Sequence, residues 1–433
     1  MGGATGMAKF LFATVPITGH VVPGLPLAQK LVDQGREVAW YSTSNHRARI
    51  ESTGSTFYPV RQARDFDDRN LDAAFPGRVP LDGLKKLKFD LKELFAGQMI
   101  PWHQDVQAIL SEFPADVVVV DSGFTGLLPM VLAPPHPKLA VYGAVPLTVS
   151  SRDTAPFGLG LPPAAGAAGR VRNRLLNALI QNLAFADVQK VFNAHLQEAG
   201  LGRMPCFFMD GGALLSDLFL QGSCPSFEYP RSDLPASVHY VGPFLPPKSG
   251  GFDEPDWWGE LSGPQPVVYV TQGTVANQDF GQLLRPTIEG LAEEDVLVIA
   301  TTGGRPVDAV GGHLPTNVRV ERFVPHRELL PQVDVMVTNG GYGGVQQALY
   351  FGVPLVVAGT SEDKVEVNAR VGWSGAGINL RANRPEPAKV REAVKAILGT
   401  PSYSQRAQAL CQEFQSYDAE QLALDALLQL SGA

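Results

Sequence analysis

The chain has 433 residues, 45% of them hydrophobic and 18% charged, with a formal net charge of −8 and a pI near 5.5. That length exceeds one ordinary core, so two domains of about 200 residues each are expected. The acidic balance argues against nucleic acid or an anionic membrane as the main partner.

Cys206, Cys224 and Cys411 stand far apart and match no zinc or redox spacing, which fits a reducing, cytoplasmic setting. No secretory signal is expected, because the apolar run Phe10–Val15 is only a strand's length. Other runs such as Val117–Val120 fall well short of the roughly 20 residues that span a bilayer. Residues 1–6 precede a second methionine, Met7, where the native chain can equally begin.

In chain order, Lys9–Val15 predicts a strand, followed by a turn holding Gly19 and His20 and a helix from Pro23 to Gln34 that Gly35 stops. Glu37–Tyr41 predicts a second strand and Leu81–Ile109 helical structure. Asp116–Val120 is a continuous apolar run ending at Asp121, the signature of a parallel strand covered on both faces. Ala140–Val145 predicts another strand, the Pro/Gly/Ala-rich Thr154–Gly169 a mobile loop, and Val171–Ala199 a long helix.

Gly and Pro then crowd residues 243–262, where a linker is expected. The βα rhythm restarts with strands at Val267–Thr271, Val296–Thr301, Asn317–Arg322, Val333–Thr338, Pro354–Ala358 and Gly377–Leu380. Helices are expected near Gln282–Glu293, Gly344–Tyr350 and Val365–Trp373, and an amphipathic helix over Leu410–Leu430 that can reach back across the junction. Strands alternating with helices predict two doubly wound parallel sheets facing across a cleft, an α/β protein whose ligands gather beyond the strands' C-terminal ends.

Three groups of residues at those ends carry chemistry. His20 follows the first strand beside Gly19, and Asp121 ends another strand of the same sheet. Singly, they read as a solvent-touching histidine and a turn former; together they permit a His–Asp dyad able to activate a hydroxyl. Gly340, Gly341, Gly343 and Gly344 let a backbone approach a ligand where a helix begins, which suits a phosphate. A tight packing turn needs the same residues. Gln272, Gly273 and Thr274 end the second domain's first strand, and Phe323, Val324 and His326 end another that can hold a base. Glu362, Asp363 and Lys364 form a charged cluster suited to a polyhydroxylated group.

The Gly19-His20 turn, Asp121, Phe323-Val324-Pro325-His326, and above all Thr338–Asp363 with its Gly352-Val353-Pro354, are similar to one family over nearly the whole chain. The chain resembles the inverting nucleotide-sugar glycosyltransferases of the UDP-glucosyltransferase superfamily, in the bacterial branch that decorates natural products. The resemblance implies the GT-B fold, two Rossmann-like domains: an acceptor-binding domain at 1–242, a donor-binding domain at 263–405, and a C-terminal helix at 406–433 packing back toward the first. It implies His20 as catalytic base with Asp121 as partner. Donor contacts would come from Gly273, Thr274, Phe323, Val324, His326, Asn339, Gly340, Gly341, Gly343, Gly344, Gln347, Glu362, Asp363 and Lys364.

The resemblance implies a hexose moved from a nucleoside-diphosphate sugar to a hydroxyl of a small, partly apolar natural product such as a polyketide or macrolide. UDP-glucose is the favoured donor and a dTDP-sugar the other. No cofactor and no metal are expected. Asn339 stands where many relatives have a histidine, Gln347 where they often have a glutamate, and Phe323 where they stack a tryptophan, and all three departures fall on the donor side. Phe75, Phe89, Phe124 and Phe157 are expected acceptor contacts, though aromatics at helical spacing more often build a core. Rival readings are a nucleotide-sugar epimerase, a catalytically silent helper of a transferase partner, and a Rossmann dehydrogenase. The sequence leaves monomer and homodimer equally open.

Overall fold

A computed structural model describes residues 7–246, 251–274 and 277–432. Residues 1–6, 247–250, 275–276 and the final Ala433 lie outside the described residues, and with them part of the linker expected at 243–262. The first sheet holds seven parallel strands: β1 (Lys9–Ala13), β2 (Glu37–Ser42), β3 (Thr56–Pro59), β4 (Val117–Asp121), β5 (Lys138–Gly143), β6 (Leu218–Gln221) and β7 (Val238–Tyr240). Their order is β3-β2-β1-β4-β5-β6-β7. The second holds β8 (Val267–Thr271), β9 (Leu297–Thr301), β10 (Val318–Glu321), β11 (Val335–Thr338), β12 (Leu355–Val357) and β13 (Gly377–Asn379), in the order β10-β9-β8-β11-β12-β13.

The chain direction of build-up reverses at β1/β4 in one sheet and at β8/β11 in the other, the switch points where such sheets open a crevice at their C-terminal edge. Register across the first switch pairs Phe10 with both Val38 and Val117. The valine run of β4 shows why its sequence has no alternation. Val117 and Val119 enter one core with Phe10, Phe12 and Trp40, whereas Val118 and Val120 enter another with Leu11, Tyr41 and Trp102. In β8, Val267 and Tyr269 face one core and Val268 and Val270 the opposite one. Both sheets are therefore buried on both faces.

Several elements differ from their sequence reading. β3, β6 and β7 are short edge or near-edge strands, too brief for a pattern to mark. The turn at Gly19-His20 is already helical: Thr18–Val21 forms a helical turn that runs through Val22–Gly24 into the helix Leu25–Asp33. Asp68, from beyond β3, caps it by accepting from the Thr18 N–H at 2.6 Å, so the helix start is set by a residue 50 positions away. The stretch 171–199 divides at a widened turn, Ile180–Ala184, into Ala167–Leu179 and Ala186–Glu198.

The amphipathic stretch at 410–430 is two helices, Pro401–Gln415 and Ala419–Ser431. Ala407, Leu410 and Phe414 pack in the second sheet's core, while Ala423, Leu424 and Leu427 pack with Leu27, Ala28 and Leu31 on the first. A continuous apolar stripe cannot reveal such a break, because each half keeps its own period. Asp418 starts the last helix by accepting from the Gln421 N–H at 3.0 Å.

Candidate active site

His20 and Asp121 are 101 positions apart in sequence and meet at 2.5 Å, Nδ1 to Oδ1. The Asp121 carboxylate is fully buried and held from two further sides, by the Val15 N–H on Oδ2 at 2.7 Å and the Gly123 N–H on Oδ1 at 2.8 Å. With Nδ1–H donating to the carboxylate, the Nε2 lone pair is left for a substrate proton. The Tyr142 hydroxyl donates to the His20 carbonyl at 2.6 Å and fixes the backbone behind the ring. Gly123 leaves the room: a Cβ there would lie 2.9 Å from His20 Cε1 and 3.1 Å from Asp121 Oδ1. Sequence reading passed over Gly123; a glycine two residues past a strand-end aspartate was the available signal.

Burial pulls the His20 pKa down. Asp121 at contact, with Asp363 and Asp68 acting through space, outweighs that and leaves it raised above the ordinary histidine value. Asp363 belongs to the second sheet, after β12, so its influence on His20 means that the two C-terminal edges face one another. Burial pushes the Asp363 carboxyl up to about 6, with Glu362 adding to the rise and Lys364 and His20 opposing it.

Across from the dyad, the helix Tyr342–Tyr350 opens at Gly341. Its first N–H groups have no partner within the helix, and its positive end points out of the turn. Gly340 has φ +90°, and a Cβ on it would collide with the Asn368 amide. Gly341 and Gly343 meet nothing within 4 Å. The glycines of the turn thus divide into Gly340, needed for packing, and Gly341 and Gly343, which face open space. A cavity of about 100 Å³ separates Gly19, Val22 and Pro23 of the first domain from Tyr342, Gly343 and Gln347 of the second.

The remaining expected donor residues divide similarly. His326 packs edge-on against Tyr269, whose hydroxyl lies 3.1 Å from Nε2. Burial pushes its pKa down to about 4, against a hydrogen bond with Gln347 that raises it, so the ring is neutral near pH 7. Phe323 is 63% exposed, an open ring at the strand end. Val324 is a correction: its side chain is core, leaving only its backbone for a ligand. One N–H of the Asn339 amide is spent on the Gln272 carbonyl at 2.7 Å, tying β8 to β11. Gln272 turns inward too, its Oε1 accepting from Leu283 and Leu284 at 3.2 and 2.9 Å. Gly273, with φ +71°, and Thr274 are exposed. Lys364 is buried and paired with Glu362, itself in the left-handed region at φ +56°. Its ammonium is therefore a brace for the loop, and Asp363 is the member whose charge reaches His20.

Among the expected acceptor contacts, Phe124 is a second correction. It is 2% exposed, stacked on Trp102 at 5.1 Å between ring centroids, and belongs to the sheet's core. Phe75 and Phe89 join Phe66, Leu94 and Ile17 in a small cluster beside the His20 turn. Phe157 lies half-buried in the loop after β5. That loop is pinned at its base by Asn173, which donates to Arg152 O and Ala164 O at 3.0 and 3.2 Å. Among the described residues no cluster of His, Cys, Asp and Glu is placed to hold a metal ion, and no helix is long and apolar enough to cross a membrane.

Two facing Rossmann-like sheets, a His–Asp dyad on one and an open glycine turn on the other, define a GT-B glycosyltransferase. The family described as "Erythromycin biosynthesis protein CIII-like, C-terminal domain" matches residues 285–425. The chain is 44% identical to 4'-demethylrebeccamycin synthase of Lentzea aerocolonigenes over 96% of its length and 98% of the relative's. It is 36% identical to UDP-glycosyltransferase 2 of Phaeomoniella chlamydospora over 100% and 98%. The crystallised glycosyltransferase of kitacinnamycin superposes with a TM-score of 0.74 at 22% identity, over 98% of this chain and 99% of that one. Spinosyn rhamnosyltransferase SpnG, complexed with thymidine diphosphate, does so with 0.68 at 18% identity over 97% and 99%. The chain belongs to the family of glycosyltransferases that contains 4'-demethylrebeccamycin synthase and the UDP-glycosyltransferases. Membership sets aside the epimerase and dehydrogenase readings.

Proposed function

We propose that this enzyme transfers a hexose, with inversion, from a nucleoside-diphosphate sugar to a hydroxyl of a small, partly apolar natural product, and that it needs no metal. The observation that carries this reading is the 2.5 Å His20–Asp121 bond at one sheet's edge, opposite a helix start whose Gly341 and Gly343 face open space. His20 Nε2 takes the acceptor proton as the oxygen attacks the anomeric carbon. The nucleoside diphosphate leaves from the opposite face, and the proton ends on an imidazolium that Asp121 stabilises. Charge grows on the leaving diphosphate, where the free N–H groups from Gly341 to Gly344 and the helix end can take it up, each fixed donor contributing about 3 kcal/mol. Asp363 reads sugar hydroxyls, Phe323 stacks the base, and Gln347 with His326 holds the ribose side.

UDP-glucose is the favoured donor, supported by the relative named as a UDP-glycosyltransferase. A dTDP-sugar is the second reading, supported by the thymidine diphosphate in the spinosyn enzyme. The acceptor lies in the first domain, between the Phe75–Phe89 cluster and Phe157. We assign 1–242 to acceptor binding, 263–405 to the donor, and 406–433 to the closing tail, in a cytoplasmic enzyme. Purified protein is incubated with UDP-glucose or dTDP-glucose and a panel of polyketide and macrolide acceptors, with mass spectrometry as readout. His20→Ala is expected to abolish transfer while nucleotide affinity stays within twofold. Full transfer by His20→Ala removes the base assignment, and no transfer by the wild-type chain with any donor supports a silent helper instead.

A further inference from the structure

Four ionised side chains lie buried between the domains, none of them in the site above. Glu228, in the loop after β6, and Arg370, on the helix Lys364–Ser374, are both 0% exposed and bond at 2.9 Å. Arg370 also bonds Glu366, one turn earlier, at 2.9 Å, and stacks over the Tyr229 ring at 4.2 Å. Arg231 lies 3.8 Å from Glu228 and balances the charge of the quartet. Buried ion pairs contribute little net stability compared with apolar packing, so the quartet's other consequence is the informative one.

That consequence is at Glu366 Oε1, which accepts from the Gly158 N–H at 2.9 Å and the Gly160 N–H at 2.8 Å. Both glycines have positive φ, +97° and +59°, which turns two near-neighbour N–H groups inward as an anion-binding nest. The guest of this nest is a carboxylate from the other domain. The same helix begins at Lys364, directly after Asp363. One rigid helix thus carries Asp363 at its start and the tether of the Phe157–Leu161 loop one turn later.

We propose that Glu366 is a positioning residue that couples the two substrates: it seats the acceptor-side loop on the donor-side helix, so that the acceptor pocket is completed only when donor and domain are docked. This rests on the reading of 362–364 as part of the donor site. The loop leaves Leu159 and Leu161 exposed and Phe157 half-buried, apolar surface suited to a ring system.

Hydrogen exchange of residues 154–166 in the full-length protein, with and without saturating UDP (dTDP in a parallel arm), tests it. In the wild-type protein, nucleotide is expected to slow exchange of this segment at least fivefold, although the nucleotide sits in the other domain. Glu366→Gln keeps the side chain's volume but loses the charge the nest holds. It is expected to exchange at least fivefold faster at 154–166 and no longer respond to nucleotide, with UDP affinity within twofold of wild type. Gly160→Ala, whose Cβ would meet Val365 at 2.7 Å, should have the same effect from the loop side without touching the buried charges. Unchanged exchange in both variants overturns the tether. Loop exchange in wild type that ignores a bound nucleotide overturns the coupling. If neither nucleotide binds wild type, the donor reading fails instead, and the nucleotide-free comparison still decides the tether.

Discussion

Replacing Asp121 by Asn tests the dyad with almost no change of volume. The carboxylate accepts three bonds: Val15 N–H at 2.7 Å, Gly123 N–H at 2.8 Å and His20 Nδ1–H at 2.5 Å. An amide has one oxygen. Held at the Oδ1 position it keeps Gly123 and His20, sets its NH₂ against the Val15 N–H and brings no charge to the imidazolium. Held at the Oδ2 position it keeps Val15, sets its NH₂ against Gly123 and His20, and the imidazole answers by accepting at Nδ1. The ring proton then moves to Nε2, the atom that has to take the acceptor's proton. The same tautomer reversal lowers serine-protease turnover by about 10⁴-fold, equivalent to about 5.5 kcal/mol of barrier, and a loss of that order in kcat/KM is expected here. The pH profile gives an independent reading. In the wild-type enzyme the raised His20 pKa places the acid limb of kcat/KM above 6.5, with activity rising as the base loses its proton. Without the carboxylate, burial is opposed only by Asp363 and Asp68, and the residual activity's limb moves to lower pH. A loss smaller than tenfold, with the limb unmoved, refutes the dyad.

Other substitutions separate packing from binding. Gly340→Ala puts a Cβ into the Asn368 amide at φ +90°, and strain with overpacking is expected to cost about 3 kcal/mol, read as a lowered denaturant midpoint. Gly341→Ala, at φ −61° with open space around it, is expected to leave that midpoint within about 0.5 kcal/mol and to weaken nucleotide binding at least tenfold in calorimetry. Equal effects of the two on stability count against this division of the turn. His326 has its folded pKa pushed down to about 4, below the unfolded value near 6.5. The unfolded chain therefore takes up this proton first, and stability falls as pH drops from about 6.5 to 4. The full span is about 3 kcal/mol. Urea titrations across that range should show a shallower acid slope in His326→Gln; an identical slope assigns the loss to other groups.

The glycine turn was legible because its chemistry is local. Four glycines between an apolar strand and a helix can be read without knowing what surrounds them, and so could the positions of His20 and Asp121 at strand ends. Their partners were not. Asp68 capping the His20 helix, Gly123 making room for the ring, and Glu366 reaching Gly158 and Gly160 each depend on chain segments 50 or more positions apart, or on a Cβ that is missing. Arg370 shows the limit well: on an amphipathic helix an arginine reads as solvent-facing, yet this one is sealed between two sheets.

Phe124 errs the other way, an aromatic near the cleft that β-sheet packing took for the core. Periodicity and turn chemistry act over a few residues, so two doubly wound parallel sheets and a glycine turn opening a helix could be read from the chain alone. Which polar groups on the strand ends stay open and which are consumed in bracing, as Asn339 and Lys364 are, emerges only once the chain is folded. That choice is made by long-range burial and hydrogen-bond pairing, and neither leaves a periodic mark along the chain.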